Sequence, residues 1–72
     1  MSATVECYAG TRYPERPRAF VWQGNRMTVQ KTERQWQTPT GLAFRVVTPD
    51  GRRFALTYNR VEDAWTISAA GE

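Results

Sequence analysis

The 72-residue chain predicts an all-β domain, an antiparallel meander of five or six short strands. Three observations lead to this class. Apolar and polar residues alternate over short segments, which is the period of a half-buried strand. Turn-forming sequences separate these segments, namely QGNR, TPTG, TPDG and NRVED. The apolar spacing typical of an amphipathic helix is weak throughout.

The first predicted hairpin joins AFVWQ to RMTVQ and turns at Gly24 and Asn25, two residues that accept positive φ. A two-residue loop fixes the register of the strands on either side. The expected cross-strand partners are Trp22 with Met27 and Phe20 with Val29. All four side chains then share one face, as a half-buried sheet requires.

The TPDG turn admits two registers. A loop of Asp50 and Gly51 alone would place Arg45 opposite Leu56 and mix charge into the apolar face. A three-residue loop from Pro49, with Gly51 left-handed in a bulge, keeps the apolar residues together. The expected partners are then Val46 with Phe54, Phe44 with Leu56 and Leu42 with Tyr58. Two arginines project from the opposite face, Arg45 across from Ala55 and Arg53 across from Val47.

A last hairpin, with a loop from Arg60 to Asp63 closed by Asn59 and Ala64, would pair Tyr58 with Trp65 and Leu56 with Ile67. The three hairpins agree on one inward face. Its expected members are Phe20, Trp22, Met27, Val29, Leu42, Phe44, Val46, Phe54, Leu56, Tyr58, Trp65 and Ile67. Side chains of this size would fill a small SH3-like barrel or a strongly curved sheet.

The segment QKTERQWQ, residues 30–37, is out of phase with this face. Its large apolar residue, Trp36, stands at an even position, whereas the apolar residues just before it stand at odd ones. A bulge near Gln30 or Lys31 would return Trp36 to the core. Without a bulge, Trp36 would be an exposed aromatic side chain beside Arg34. The sequence leaves both alternatives open.

The N-terminal part is expected to be less regular. TVECY can add an edge strand, whereas TRYPERPR is predicted to be a loop or extended connector because of Pro14 and Pro17. We expect residues 1–72 to form one domain, with residues 1–17 divided between that edge strand and that loop. Cys7 is the single cysteine, which predicts no internal disulfide and a reducing, cytoplasmic location. No signal peptide or membrane segment is predicted.

Catalysis is not expected. Histidine, the commonest general base and metal ligand, is absent. Glu62 and Asp63 lie in a predicted turn, where solvating the loop is the expected role, and Cys7 has no histidine to activate it. Neither a GxGxxG motif nor a Walker glycine loop occurs. The sequence therefore predicts no catalytic residue, no cofactor and no bound metal.

Basic residues are concentrated in the middle of the chain, where residues 12–53 hold nine Lys and Arg against three acidic residues. Arginine grips phosphate with a flat fork, and an exposed tryptophan would stack a base. The candidate nucleic-acid-binding residues are Arg18, Lys31, Arg34, Trp36, Arg45, Arg52 and Arg53. The structural alternative is that outward arginines keep a sheet face soluble and that Trp36 belongs to the core.

Three parts of the sequence carry a family resemblance: Arg-Pro-Arg before the strand with Phe20 and Trp22, the Arg34–Trp36 segment, and the TPDGRRFAL hairpin with its terminal Trp65. Over about residues 15–67 the chain resembles a bacterial family of small all-β domains. These domains occur alone or at the carboxyl end of proteins related to Y-family DNA polymerases and involved in mutagenic repair. The resemblance implies the fold more than any site, and no polymerase carboxylate motif is present.

Two functions are compatible with these observations. The first is a non-catalytic accessory domain that binds single-stranded or double-stranded nucleic acid alongside DNA repair machinery. The second is a protein-interaction module that pairs with itself through an edge strand or docks an acidic or proline-containing partner on aromatic residues. Exposed aromatics and an unpaired edge would favour the second, and buried tryptophans beneath a continuous arginine patch would favour the first. No membrane partner is expected.

Overall fold

The computed structural model describes residues 3–7 and 16–69, which form seven antiparallel strands in two sheets. The strands are β1 (Val5–Cys7), β2 (Pro17–Trp22), β3 (Asn25–Thr28), β4 (Lys31–Thr38), β5 (Gly41–Val47), β6 (Arg53–Asn59) and β7 (Ala64–Ala69). One sheet has the order β1-β2-β3 and the other β4-β5-β6-β7. In these two ranges there is no helix that could cross a membrane. The all-β class is confirmed, with more strands than the five or six predicted.

The hydrophobic core lies between the two sheets. Its buried members are Phe20, Leu42, Phe44, Val46, Phe54 and Leu56. Partly buried side chains pack against them: Val5, Trp22, Met27, Val29, Trp65 and Ile67. Every side chain expected to point inward belongs to one of these two groups except Tyr58, which is half-buried and stacks on Trp65 with ring centroids 5.2 Å apart. Val5 of β1 also packs against the core, although it was not among the side chains expected to point inward.

Aromatic contacts join the sheets. Phe20 and Trp22 of β2 each pack edge-on against Phe54 of β6, with centroid separations of 5.0 and 5.4 Å. Edge-to-face packing suits the ring quadrupoles and buries a large apolar area in a domain that has few core residues. The core therefore depends strongly on this cluster of three rings.

No closed barrel is seen in the described part of the chain. Two backbone hydrogen bonds bring the sheets together at their margins: Ala3 N–H donates to Trp65 O at 3.1 Å, and Gln30 N–H donates to Val47 O at 2.7 Å. The first joins the segment before β1 to β7, and the second joins the β3–β4 connection to β5. The coarse expectation of an all-β domain of antiparallel strands holds, and the SH3-like curved barrel stays a prediction.

The first hairpin turns one residue earlier than predicted. Gln23 and Gly24 take the positive φ values, 51° and 83°, and Asn25 begins β3 instead of belonging to the loop. The observed partners are Phe20 with Met27 and Trp22 with Asn25, in place of Phe20 with Val29 and Trp22 with Met27. The predicted register of the two strands is therefore wrong by two residues. Because side chains alternate with period two, that shift leaves each of them on its predicted face.

The other two hairpins have the predicted registers. Gly51 has φ of 87°, and its N–H donates to Thr48 O at 2.8 Å, as a type I turn followed by a left-handed glycine requires. The confirmed partners are Val46 with Phe54, Phe44 with Leu56, Leu42 with Tyr58, Arg45 with Ala55 and Val47 with Arg53. Tyr58 with Trp65, Leu56 with Ile67 and Asn59 with Ala64 are confirmed as well.

The bulge in β4 lies at Glu33, not near Gln30 or Lys31. Thr32 and Arg34 pair with adjacent residues of β5, so Glu33 is an extra residue in the ladder. A bulge of this kind bends the strand and redirects side chains. Here it directs Glu33 into the charged surface described below.

Strand β2 begins earlier than predicted. Pro17 and Arg18 were expected to lie in the connector, but both belong to β2, and Pro17 pairs with Cys7 after a register shift in β1. Proline is tolerated at the first residue of a strand, where no ladder donor is lost. β1 lies within the TVECY segment and takes the expected edge position. Of the rest of the predicted connector, Arg16 lies just before β2, and residues 11–15 lie outside the described residues.

Candidate nucleic-acid interface

The face of the four-stranded sheet that points away from the core carries most of the predicted site. Buried Leu42, Phe44 and Val46 point inward from β5, so the residues that alternate with them, including Arg45 and Val47, lie on the opposite face of the strand. Strand pairing brings charged and aromatic residues of β4 and β6 to the same face. We call these residues the outer cluster: Lys31, Glu33, Arg34, Trp36, Arg45 and Arg53.

Trp36 is the aromatic member of the outer cluster. It lies opposite Ala43 on β5 and is 40% exposed, so the alternative of an exposed tryptophan beside Arg34 is confirmed and that of a core tryptophan is wrong. The Arg34 guanidinium lies 5.7 Å from the centre of the Trp36 ring, within the range of a cation–π contact. Alternation along the strand explains this contact, since residues two apart share a face.

Arg34 and Arg45 lie directly opposite each other on β4 and β5. Both are exposed. Like charges in this position repel and lower the stability of a sheet. An anion placed between the two guanidinium groups would remove the repulsion and gain two charge-assisted contacts. The cross-strand pair of Arg34 and Arg45 therefore favours binding of an anion.

Arg53 is paired with Glu33. Its Nε lies 3.0 Å from Oε1 and its Nη2 lies 3.4 Å from Oε2. The hydrogen bond from Arg53 holds the pKa of Glu33 below its usual value, and the charges of Arg53, Lys31 and Arg45 lower it further. Glu33 thus stays ionised at neutral pH and neutralises part of the outer cluster. The cluster still has four positive charges against one negative charge.

Two predicted site residues lie elsewhere. Arg52 places its guanidinium 5.1 Å from the ring centre of the buried Phe54, on the core side of the four-stranded sheet. Arg18 lies on β2 of the three-stranded sheet, where its charge contributes to lowering the pKa of Glu6. The structure therefore brings together Lys31, Arg34, Trp36, Arg45 and Arg53, and separates Arg52 and Arg18 from them.

Sequence reasoning missed the ion pair on the three-stranded sheet. Arg26 donates to both carboxylate oxygens of Glu6 at 2.9 Å, which is the main reason that the pKa of Glu6 is lowered. The partners are 20 residues apart, on the two strands that flank β2. Only a correct register for β1, β2 and β3 together would have revealed this pair.

A small cleft adjoins the outer cluster at Lys31. It has a volume of about 70 Å³ and is lined by Arg16, Pro17, Val29, Gln30, Lys31 and Thr32. Pockets for drug-sized ligands usually measure several hundred cubic ångströms. The outer cluster is thus an open surface suited to an extended or flat partner.

The other potentially reactive side chains among the described residues lie in surroundings that lower their reactivity or give them a structural role. Burial raises the pKa of the Cys7 thiol, which disfavours the reactive thiolate. Asp63 accepts a hydrogen bond of 2.7 Å from the Tyr58 hydroxyl, and the Asn59 side chain accepts from the N–H groups of Val61 and Glu62. These contacts stabilise the β6–β7 turn. Residues 3–7 and 16–69 contain no group of three or more side chains that could hold a metal ion.

Comparison of the chain with known protein families, with curated proteins and with solved structures finds no match.

Proposed function

We propose that this chain is a non-catalytic, cytoplasmic domain of bacterial type that binds single-stranded nucleic acid on the outer cluster. The observation that carries the proposal is the position of the exposed Trp36 beside Arg34, with Arg45 directly opposite Arg34. Small domains that hold single strands combine stacking aromatics with a positively charged track for the backbone. The outer cluster supplies both on one sheet face.

Trp36 would stack a base. Every nucleobase has a flat π face, so an exposed aromatic ring binds single strands without reading their sequence. In a duplex the bases are already stacked and paired, and reaching one requires unpairing it. The exposed ring therefore favours single strands over duplexes.

Arg34 and Arg45 would bind the phosphate next to that base. Their repulsion in the free protein is replaced by two contacts to one anion, and guanidinium groups suit the fork geometry of phosphate oxygens. Each phosphate contact of this kind releases counterions. Binding must therefore weaken steeply with added salt.

The resemblance to domains fused to Y-family DNA polymerase relatives supports a place beside DNA repair machinery, where single strands are exposed. It also supports an SH3-like closure of the two sheets, as do the backbone hydrogen bonds from Ala3 to Trp65 and from Gln30 to Val47 at their margins. The place beside DNA repair machinery and the SH3-like closure are both parts of the proposal.

The test is a titration of labelled single-stranded and double-stranded DNA at about 50 and about 200 mM salt. The variant Arg34→Ala with Arg45→Ala should bind single strands much more weakly, with a salt slope smaller by about 0.7 for each lost contact. The control Arg26→Ala with Arg60→Ala removes the same charge outside the outer cluster and should retain most of the binding. Absence of binding by the wild-type protein at low salt would overturn the proposal.

Trp36 is tested separately from the charges. Trp36→Ala should weaken single-strand binding by about 5-fold to 150-fold, because stacking of one base contributes roughly 1–3 kcal/mol. Trp36→Phe keeps a smaller aromatic face and should restore part of the loss. Equal affinities for the wild type and both variants would mean that Trp36 does not stack a base.

One observation favours a second candidate function, a protein-interaction module. β4 is an edge strand of eight residues, and no strand of the described chain pairs with its outer side. An exposed Trp36 on such an edge was also expected to favour this reading. However, the bulge at Glu33 and the charges of Lys31 and Arg34 are features that discourage strand addition. Concentration-dependent dimerisation that is lost on introducing proline at Gln35 would support this second function.

A further inference from the structure

The bulge residue Glu33 lies in a place that suits an anion. It is the extra residue of β4, and both of its carboxylate oxygens contact the Arg53 guanidinium, at 3.0 and 3.4 Å. A carboxylate and a phosphate present oxygen pairs to arginine in the same fork geometry. The side chain of Glu33 therefore marks a position in which this protein holds two anionic oxygens.

Cations surround this position on three strands. Lys31 on β4 and Arg53 on β6 are the two cross-strand neighbours of Val47, and Arg45 follows two residues away on the same face of β5. The carboxylate is hydrogen-bonded to Arg53, and the charges of Lys31 and Arg45 act on it as well. A phosphate carries at least the same charge and has more oxygen atoms available for these donors.

We propose that Arg53, Lys31 and Arg45 form a second phosphate subsite, which the Glu33 carboxylate occupies in the free protein and leaves when a strand binds. This inference rests on the proposed function, since the phosphate would be that of a single strand whose base stacks on Trp36. Glu33 and Trp36 are three residues apart on β4, or about 10 Å. A short single strand spans that distance.

The Glu33–Arg53 pair is suited to displacement. The Arg53 side chain is 48% exposed and the Glu33 side chain 24%. Partly exposed ion pairs contribute little to stability and weaken with salt, so opening this one has a small cost. In the free protein the carboxylate shields the cations from one another, and on binding it competes with the incoming phosphate. Glu33 therefore lowers the affinity without abolishing it.

The experiment compares wild-type protein with Glu33→Gln in titrations of labelled oligothymidylate across a salt series. Removing the competing carboxylate should raise the affinity about twofold to fivefold at low salt, the range expected from an exposed ion pair. The salt slope should stay about the same as in the wild type, because the same phosphate contacts form in both proteins once Glu33 has left. Arg53→Ala in the wild-type background should reduce the affinity and make the slope shallower by about 0.7, because one phosphate contact is lost.

Two control variants separate a local effect from a general one. Glu62→Gln makes the same change in net charge in the exposed β6–β7 turn. Glu6→Gln frees Arg26 from an ion pair of the same kind on the three-stranded sheet. Both should raise the affinity less than Glu33→Gln does. An equal rise in all three variants would overturn the subsite and leave only a net-charge effect.

The outcomes also distinguish this inference from the function on which it rests. Salt-dependent binding that is lost in the Arg34 and Arg45 variant but unchanged in Glu33→Gln and Arg53→Ala would retain the function and overturn the subsite. No binding of oligothymidylate by the wild type and by Glu33→Gln at low salt would overturn both.

Discussion

The outer faces of both sheets carry a glutamate–arginine ion pair, but they differ in the number of further cations around it. On the three-stranded sheet Glu6 and Arg26 form one ion pair with both distances at 2.9 Å, and charge is balanced within the pair. On the four-stranded sheet a pair of the same kind, Glu33 with Arg53, lies among three further cations beside an exposed Trp36.

The difference indicates which face is adapted to a partner. A balanced pair is sufficient to keep a sheet face soluble, and among the described residues of the three-stranded sheet one further cation, Arg18, acts on that pair. The opposed Arg34 and Arg45 lower stability unless an anion is present, so solubility alone does not explain them. Excess charge beside an exposed aromatic ring is the feature that distinguishes the four-stranded sheet.

The largest expected effect contrasts a glycine from each sheet. A Cβ at Gly41 would overlap the backbone carbonyl of Tyr58, which cannot move without breaking the β5–β6 ladder. A Cβ at Gly24 would meet open space, and its φ of 83° alone makes substitution unfavourable. Gly41→Ala should therefore cost more than about 4 kcal/mol and prevent folding, whereas Gly24→Ala should cost about 1–2 kcal/mol. Circular dichroism would show the loss of folded structure in Gly41→Ala, and urea unfolding would measure the cost in Gly24→Ala. A folded Gly41→Ala variant with the same cost as Gly24→Ala would contradict the close packing at Gly41.

A smaller contrast compares a tryptophan from each sheet. Trp22 points inward against Phe54, whereas Trp36 lies on the outer face. Trp22→Ala should lower the free energy of unfolding by about 2–4 kcal/mol, since it removes part of the ring cluster. Trp36→Ala should lower it by about 1 kcal/mol or less, because exposed side chains contribute little. A larger stability loss at Trp36 than at Trp22 would show that Trp36 has a structural role.

Alternation and turn chemistry were sufficient to predict much of the fold. The TPDG hairpin was predictable because only one register kept Arg45 out of the apolar face, and the last hairpin followed from it. The first hairpin was not, because registers two residues apart place the same side chains on the same face. The choice between turns at Gly24–Asn25 and Gln23–Gly24 depended on Gln23 accepting a φ of 51°, which no pattern indicates.

The candidate site was predictable for the residues of β5 and β6 that follow from the TPDG register, Arg45 and Arg53. The face of Trp36 depended on two changes of phase, one between the inward Val29 and the outward Lys31 and one at the bulge of Glu33, which together leave Trp36 on the outer face. Arg52 follows the turn and lies against Phe54 instead of beside Arg53. The pairing of Glu33 with Arg53 is a contact between distant strands, and local sequence holds no sign of it.

The smallest expected effect is on acid stability, and it compares the two ion pairs directly. Hydrogen bonds from Arg26 and Arg53 hold the pKa values of Glu6 and Glu33 below 4.5 in the folded protein. The unfolded chain therefore binds more protons as pH falls through 4.5, so the stability that these pairs add above that pH is lost towards lower pH.

Thermal unfolding of the wild type should accordingly change little between about pH 8 and pH 6 and decline below about pH 5. Glu6→Gln and Glu33→Gln should each make the decline shallower, because the titrating group is gone. Glu33→Gln should do so more, since three cations act on Glu33 and two on Glu6. If stability declined as steeply in both variants as in the wild type, the acid sensitivity would belong to other carboxyl groups. Asp50 is the first of these to test, because the hydrogen bond from Thr48 lowers its pKa as well.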